Sequence, residues 1–138
     1  MIIIDPIAEK YAEDFSGRTD ALLQELETYT RQHHPQAHMI SGALQGKMLE
    51  MISLMVAPKR ILEIGTFTGY SAICLAKGLA ENGKLHTIEL READAAVAQS
   101  FFDKADLNDK IHLHIGDAKT IVAALEEQKL RNLYSLAK

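Results

Sequence analysis

The 138-residue sequence has little of several features that mark out whole classes of protein. It contains one cysteine, Cys74, which excludes an internal disulfide, and we predict that this side chain is a small buried hydrophobe. The net charge of −4 gives no basic excess of the kind expected for nucleic-acid or anionic-membrane binding. No apolar run approaches the roughly 18 residues that span a bilayer, and Met1–Ile4 is too short for a signal-peptide core. We therefore expect a cytoplasmic protein with neither kind of partner.

The composition is that of an ordinary globular domain, with 47% hydrophobic and 25% charged residues. The length fits a single domain with a real core but is short for a full α/β enzyme. Residues 1–57 are predicted to form helices. The third of these, residues 43–56, is expected to bury an apolar face. That face consists of Leu44, Met48, Met51, Ile52 and Met55.

Three predicted strands, 60–64, 84–90 and 111–115, alternate with predicted helices at 71–80, 91–105 and 120–127. This alternation indicates βαβ units, hence a parallel sheet with right-handed crossovers. We assign residues 58–128 to this βαβαβα core and residues 129–138 to a tail of different character. The first strand is apolar on both faces and is expected to be buried inside a helix-covered sheet.

A glycine turn follows the first strand. Gly65 ends the strand, Gly69 comes four residues later, and a helix rich in small residues begins directly after it. Backbone N–H groups and a helix N-terminus placed there suit a carboxylate or a phosphate. Glu63, just before the turn, suits an amine or a hydroxyl. Amide donors beside an acid match an amino-acid-like ligand better than a bare phosphate.

The other two strand ends also carry polar groups. Glu89 closes the second strand about 20 residues after the glycine turn, which is the usual position of an acid that holds two ribose hydroxyls. Asp117 follows the third strand. These features fit an adenosine-containing cofactor. Because the chain has Gly65-x-x-x-Gly69 and no G-x-G-x-x-G, the dinucleotide fingerprint is absent, and S-adenosylmethionine suits the site better.

Two groups of histidines invite a metal interpretation. His33, His34 and His38 lie in or beside one loop, and we expect a solvated loop there. His112 and His114, two apart on a strand, point the same way and have the geometry of a metal chelate. No third ligand is evident from the sequence, so half-exposed strand histidines are the plainer prediction.

The segment Leu62–Ser71 resembles the cofactor loop of the class I, metal-dependent O-methyltransferases of the caffeoyl-CoA and catechol type. The resemblance covers about residues 5 to 127. It extends to Met39-Ile40-Ser41 with Gln45-Gly46, to Thr87-Ile88-Glu89, and to Gly116-Asp117-Ala118. It implies a Rossmann-like methyltransferase fold of the α/β class, truncated to three parallel strands in the order 3-2-1, with flanking helices and an N-terminal helical segment.

The resemblance also implies a cofactor, S-adenosylmethionine, and a role for individual residues. Glu63 would face the amino group, Glu89 would take both ribose hydroxyls, and the Gly65–Phe67 backbone with the Ser71 hydroxyl would hold the carboxylate. The implied cofactor-binding residues are Met39, Ser41, Glu63, Gly65, Thr66, Phe67, Gly69, Tyr70, Ser71, Glu89, Leu90, Asp117 and Ala118. Met39 and Ser41 would lie along the cofactor, Leu90 would pack on adenine, and Asp117 with Ala118 would meet the adenine edge.

Plainer roles exist for three of these residues. Met39 suits simple packing, Ser71 suits a helix start, and Asp117 suits a helix cap. For Glu63 and Glu89 a purely structural role is weaker, because an acid at an inner strand end is costly without a partner.

The tail departs from the family pattern. In that family a fourth strand delivers an Asp-x-Asp pair and a fifth an Asp-Asn, and these bind the divalent metal, Mg²⁺, that aligns the acceptor hydroxyl. Residues 129–138 contain no acid, so the implied metal ligands are absent and no catalytic residue is assigned. One hypothesis is an O-methyltransferase acting on a small catechol-like or phenolic hydroxyl, impaired in this chain. The alternative is a non-catalytic module that binds S-adenosylmethionine, S-adenosylhomocysteine or a protein.

The missing fourth strand also bears on assembly. In the family's sheet order the strand at Arg60–Ile64 would have an open edge beside Ile61, Leu62 and Ile64, and open edges pair with other chains. We predict a homo-oligomer, most simply a two-fold dimer. Alternatively the tail covers the edge with its apolar residues, although the spacing of the first three favours a helix. These residues are Leu130, Leu133, Tyr134 and Leu136.

Overall fold

Residues 5–17 and 19–135 are described by a computed structural model, with side-chain surroundings described as far as residue 127. The helices are α1 (Pro6–Phe15), α2 (Ala21–His33), α3 (Gly42–Val56), α4 (Tyr70–Ala76), α5 (Glu92–Lys104) and α6 (Ala118–Ser135), with a 3₁₀ turn at Ala37–Met39. The strands are β1 (Arg60–Ile64), β2 (Lys84–Glu89) and β3 (Ile111–Ile115). Most predicted boundaries hold to within one or two residues, but α4 ends four residues early and α6 continues well into the tail. Within the described part of the chain, no helix is both long and apolar enough to cross a membrane.

The three strands form one parallel sheet in the order β1-β2-β3. This confirms the predicted α/β class and strand order. Leu62 lies opposite His86, and His86 lies opposite His112. Because side chains alternate along a strand, residues paired in this way share one face of the sheet. The shared register brings the carboxyl ends of all three strands to the same edge.

The core lies on the face of the sheet that carries Leu85 and Ile111, where α4 and α5 cover it. Phe102 of α5 and Ile73 of α4 are almost wholly buried there. Cys74 is also fully buried, and its burial raises the pKa of the thiol to about 12. This confirms the prediction that Cys74 is a buried hydrophobe, since a thiol with that pKa stays protonated at neutral pH.

Helix α3 packs closely on α4, and the residues at this contact explain one wrong prediction. The buried residues of α3 are the small Gly46 and Ser53, and the Ser53 hydroxyl donates to the Leu75 carbonyl at 2.6 Å. A Cβ on Gly46 would come within 2.6 Å of the Tyr70 ring. Two helices that approach this closely need small residues between them. The predicted apolar face therefore points outward instead, so its burial was wrong: its residues Leu44, Met48, Met51, Ile52 and Met55 are exposed.

Strand β1 is also less covered than predicted. Leu62 is 51% exposed and Ile64 is 65% exposed, so the expectation of burial on both faces was wrong. Among the described residues β1 pairs only with β2, and the helices α4 and α5 lie on the opposite face of the sheet. Exposed apolar side chains on this strand agree with the open edge that the sequence predicted.

The tail residues Leu130, Leu133 and Tyr134 fall within α6, which confirms the helical reading of their spacing. Leu136 lies outside the described residues.

Candidate functional site

The candidate site lies at the carboxyl ends of the three strands. Glu63 and Gly65 are at the end of β1, Glu89 is the last residue of β2, and Asp117 follows β3. Gly65 has φ +94°, a backbone conformation that L side chains rarely adopt, and a Cβ built there meets nothing within 4 Å. The turn after β1 therefore borders open space rather than packed protein.

Glu89 is the best-defined acid of the site. It is only 6% exposed, and its two oxygens accept hydrogen bonds from two backbone amides. Phe67 N–H donates to Oε2 at 2.7 Å, and Arg91 N–H donates to Oε1 at 3.0 Å. A carboxylate has about four lone-pair positions, so about two acceptor positions remain. Glu89 thus fixes the turn after β1 and keeps capacity for further donors.

Glu63 is held by hydroxyl groups. Ser71 donates to its Oε1 at 2.6 Å, and Thr87 donates to its Oε2 at 2.5 Å. The Thr87 hydroxyl has one proton, so the Thr66 hydroxyl, 2.6 Å away, must donate to Thr87. Burial raises the pKa of Glu63, and the two hydroxyl donors partly offset that effect. No cation faces this acid among its described partners, so its charge is stabilised by neutral dipoles.

The backbone amides of the turn are used differently from the prediction. Gly65 N–H and Thr66 N–H both donate to the Ile88 carbonyl, at 2.9 and 3.1 Å, because the β1–β2 ladder continues into the turn. Phe67 N–H is engaged by Glu89. The three amides expected to hold a ligand carboxylate therefore already have acceptors within the protein.

A cluster that the sequence did not reveal adjoins Glu89. Phe67 lies in the left-handed region, at φ 51°. Its ring meets the His34 ring in a T-shaped contact with the ring centroids 4.6 Å apart, and the Arg91 guanidinium carbon lies 5.7 Å from the Phe67 ring centroid. His34 Nε2 lies 3.0 Å from Asp94 Oδ1, and Arg91 Nε lies 2.6 Å from Asp94 Oδ2. The prediction that His34 is simply solvated was wrong, because Asp94, 60 residues away, reaches it from the first turn of α5.

Some of the predicted residues turn into the protein. Thr66 and Tyr70 are buried, and burial raises the pKa of Tyr70 well above its ordinary value. Gly69 has φ +96°, and a Cβ there would come within 2.8 Å of the Phe102 ring. These three residues shape the turn and anchor it to the core, while their side chains or Cβ positions point inward.

The remaining predicted residues lie toward the rim of the site. Met39 and Leu90 are exposed, and Ser41 precedes α3 without a side-chain cap hydrogen bond. Asp117 Oδ1 accepts from the amides of Lys119 at 3.0 Å and Thr120 at 3.2 Å, so it caps α6 as the plainer prediction had it. Ala118 is the first residue of that helix.

Comparison with known proteins identifies the family of this chain. A family profile described as O-methyltransferase matches residues 13–137. The chain belongs to this family. A catechol O-methyltransferase of Niastella koreensis is 35% identical over 121 residues, which is 87% of this chain and 54% of that protein. A caffeoyl-CoA O-methyltransferase of Stellaria longipes is 31% identical over 72% of this chain and 41% of that protein.

Solved structures of O-methyltransferases have the same fold. The Bacillus cereus O-methyltransferase in complex with S-adenosylhomocysteine superposes with a TM-score of 0.80 at 32% identity, covering 88% of this chain and 55% of that one. The O-methyltransferase TomG of Streptomyces achromogenes, in complex with S-adenosylmethionine, gives a TM-score of 0.77 at 32% identity, over 86% and 53%. The chain spans about half the length of the relatives it matches.

The divalent metal implied by the family does not fit the residues present. Within the described ranges no three histidine, cysteine or acidic side chains converge on one point. The sequence of residues 129–138 adds no acid. Magnesium prefers oxygen ligands from carboxylates, and the described residues gather no such set.

Proposed function

We propose that this chain binds S-adenosylmethionine at the carboxyl ends of β1, β2 and β3, as the cofactor-binding part of an O-methyltransferase that acts on a small phenolic hydroxyl. The arrangement of Glu89 carries the proposal. Two amides hold its carboxylate at the strand end, and its remaining acceptor positions suit two neighbouring ribose hydroxyls. S-adenosylhomocysteine and S-adenosylmethionine in the Bacillus cereus and Streptomyces achromogenes structures support this choice of ligand.

Glu63 complements Glu89 at the other end of the ligand. Its carboxylate is buried with hydroxyl partners only, and burial raises its pKa. A ligand ammonium group beside it would favour the charged carboxylate and offset part of that burial. An amine-bearing ligand therefore suits this acid better than an anionic one does.

The carboxylate of the ligand needs donors other than the ones expected from the sequence. Since the amides of Gly65, Thr66 and Phe67 are engaged, we assign this role to the Ser71 hydroxyl after it turns from Glu63. Met39 and Leu90 are exposed apolar side chains that suit the aliphatic part and the adenine of the cofactor, with Asp117 and Ala118 at the adenine edge.

When bound, S-adenosylmethionine supplies an electrophilic methyl group for transfer to an oxygen nucleophile. The residues of this chain bind and orient the cofactor, and no described residue is assigned to deprotonate the acceptor. The acceptor class rests on the relatives, which are named for catechol and caffeoyl-CoA. Binding without turnover is the behaviour that the residues of this chain support by themselves.

A paired measurement tests the proposal. A calorimetric titration with S-adenosylhomocysteine should show saturable binding, while an assay with catechol, S-adenosylmethionine and Mg²⁺ should show no methylation above background. Absence of binding by the folded chain would reject the cofactor site. Robust turnover would show that the missing acidic ligands are not needed or come from a second copy. If the folded chain shows no binding and no turnover, the result favours a protein-interaction module instead.

We also propose that the chain forms a two-fold dimer through β1. Among the residues that the structure describes, no strand pairs with the outer edge of β1, which lies beside the largely exposed Leu62 and Ile64. Antiparallel pairing centred on Leu62 would place the two copies of Leu62 side by side and Ile64 opposite Arg60. The outward face of α3, with an open groove of about 610 Å³ along Met48 and its neighbours, adds further apolar surface on the same chain.

A further inference from the structure

Three histidines meet on the sheet face opposite the core. Leu85 of β2 belongs to the core, so its neighbour His86 points to the other face. His112 of β3 lies directly opposite His86, and His114 lies opposite Ile88, one step along the same face. The sequence placed His112 and His114 together. The parallel register adds His86, which is distant along the chain.

The distances within this cluster are those of a hydrogen-bonded pair of imidazoles, and the same spacing suits two ligands on one metal ion. His86 Nδ1 and His114 Nε2 form a hydrogen bond of 2.9 Å, so one of the two nitrogens carries the proton that a bound metal ion would displace. Two imidazole nitrogens bound at about 2.0–2.1 Å to one ion, at an angle near 90°, are separated by about 2.9 Å. The His112 ring stacks on His86 with centroids 5.1 Å apart, and the His86 and His114 centroids are 5.2 Å apart. Two ligand atoms are thus already at ligand spacing, with a third imidazole beside them.

The imidazoles are held in the form that binds metals. Burial lowers the pKa of His86, and the neighbouring His112, His114 and Arg60 lower it further. Burial, with His112 beside it, also lowers the pKa of His114. Both shifts favour the neutral imidazole, which is the form in which histidine binds a metal ion.

The surroundings determine which ions fit. The same sheet face carries the cations Arg60 and Lys84 and the apolar Leu62, Ile64 and Ile88. The two carboxylates on these strands, Glu63 and Glu89, alternate with these residues and so belong to the opposite face. Oxygen-seeking ions such as Mg²⁺ and Ca²⁺ find no ligand here, whereas imidazole suits Cu²⁺, Ni²⁺ and Zn²⁺. The three histidines are half-buried, and the side chains of Leu62 and Ile64 on the neighbouring strand β1 are largely exposed, so solvent reaches the cluster from the β1 side.

We propose that His86 and His114 chelate a divalent transition-metal ion, with Cu²⁺ bound most tightly, and that His112 supplies a third imidazole after its ring turns. This site is separate from the proposed cofactor site and from the Mg²⁺ site implied by the family. Because three ligands do not already converge in the described residues, His112 must reorient on binding. We therefore expect affinities in the micromolar range, with Cu²⁺ ahead of Ni²⁺ and Zn²⁺.

The test is a titration of the untagged chain with Cu²⁺, Ni²⁺, Zn²⁺ and Mg²⁺ at pH 7.5, in competition with a chromophoric chelator. The His86→Gln and His114→Gln variants should each bind Cu²⁺ at least about tenfold more weakly, because losing a ligand costs at least as much as losing an outer-shell partner. His112→Gln should cause a smaller loss. A His33→Gln/His38→Gln double variant, which changes two exposed histidines elsewhere, is the matched control and should bind normally.

Copper binding that survives His86→Gln and His114→Gln, or that falls only in the His33→Gln/His38→Gln control, would overturn the proposal. So would the absence of Cu²⁺ binding, or Mg²⁺ binding of equal strength. A second measurement on the unaltered chain does not depend on how the variants fold. In an NMR spectrum of the histidine side chains, substoichiometric Cu²⁺, which is paramagnetic, should broaden the signals of His86, His112 and His114 first. Broadening of the His33 or His38 signals first would refute the site.

Discussion

Replacing Glu89 with alanine removes the acceptor of two backbone hydrogen bonds and, in our proposal, the acceptor of the ribose hydroxyls. Losing a set of charge-assisted hydrogen bonds costs about 1.5–3 kcal/mol net when water can take the place of the missing acceptor. We expect Glu89→Ala to weaken S-adenosylhomocysteine binding by about 1.5–3 kcal/mol, which is about 10- to 150-fold in Kd. The estimate is for the hydroxyl contacts, because alanine leaves room for water to reach the Phe67 and Arg91 amides.

Isothermal calorimetry on the variant and the parent chain measures this change directly. Glu89→Gln is an informative companion, since it keeps one acceptor oxygen but presents an NH₂ group to one of the two amides. We expect it to weaken binding as well, because the amide cannot accept all of these bonds. Glu92→Ala, an exposed acid in the first turn of α5, is the matched control and should leave affinity unchanged.

Folding must be monitored in parallel by thermal unfolding. Glu89 fixes the turn after β1, so Glu89→Ala should also lower the free energy of unfolding by about 1–3 kcal/mol. A Glu89→Ala protein that is folded at the temperature of titration and binds S-adenosylhomocysteine as tightly as the parent chain would refute the ribose assignment. An equal loss of affinity in Glu92→Ala would mean that the effect is general electrostatics and not a contact.

Three further predictions concern assembly, packing and pH. Light scattering at micromolar concentration should show more than one parent chain per particle, and a monomeric parent chain would refute pairing through β1. Leu62→Lys should give a monomer, whereas the control Ile7→Lys, at another exposed apolar site, should leave the oligomer intact. Gly78→Ala should lower the free energy of unfolding by about 3 kcal/mol, because its methyl would lie 2.2 Å from the Ser53 carbonyl carbon. Gly17→Ala meets nothing within 4 Å and should lose less, about 1 kcal/mol, from its positive φ of +79° alone; denaturant titration measures both losses. Burial raises the folded-state pKa of Glu63 above its ordinary value of 4.5, so the folded state binds the proton more tightly and stability should rise as the pH falls through that raised pKa. From pH 7 to pH 5 the parent chain should therefore gain stability relative to Glu63→Gln, and a difference in melting temperature that is constant with pH would contradict this.

Hydrophobic periodicity and the positions of turn residues were sufficient to predict the sheet and the order of its strands. β1, β2 and β3 are short apolar runs separated by turn residues, and the helices between them are long enough to enforce parallel crossovers. The proximity of the glycine turn to the acids at the strand ends could also be predicted, because strand ends in a parallel sheet meet at one edge. The family resemblance rested on the same residues.

Burial on α3 was decided by contacts that no pattern along the chain reveals. The methionine stripe looks like a core face by spacing, yet Gly46 and Ser53 form the contact because α4 approaches too closely for larger side chains. Hydrogen bonding in the glycine turn was likewise set by the sheet, since the ladder to Ile88 takes up the amides of Gly65 and Thr66.

What the sequence determined by itself, then, was the local order of elements and which acids follow which strands, since these depend on short-range periodicity and on turn residues. Only the tertiary structure decided which distant residues meet. Asp94 reaches His34 across 60 positions, and His86 joins His112 and His114 through the β2–β3 register. The physical reason is that such contacts are fixed by how strands pair and helices pack. The local sequence around each residue specifies neither its pairing partner nor the packing distance.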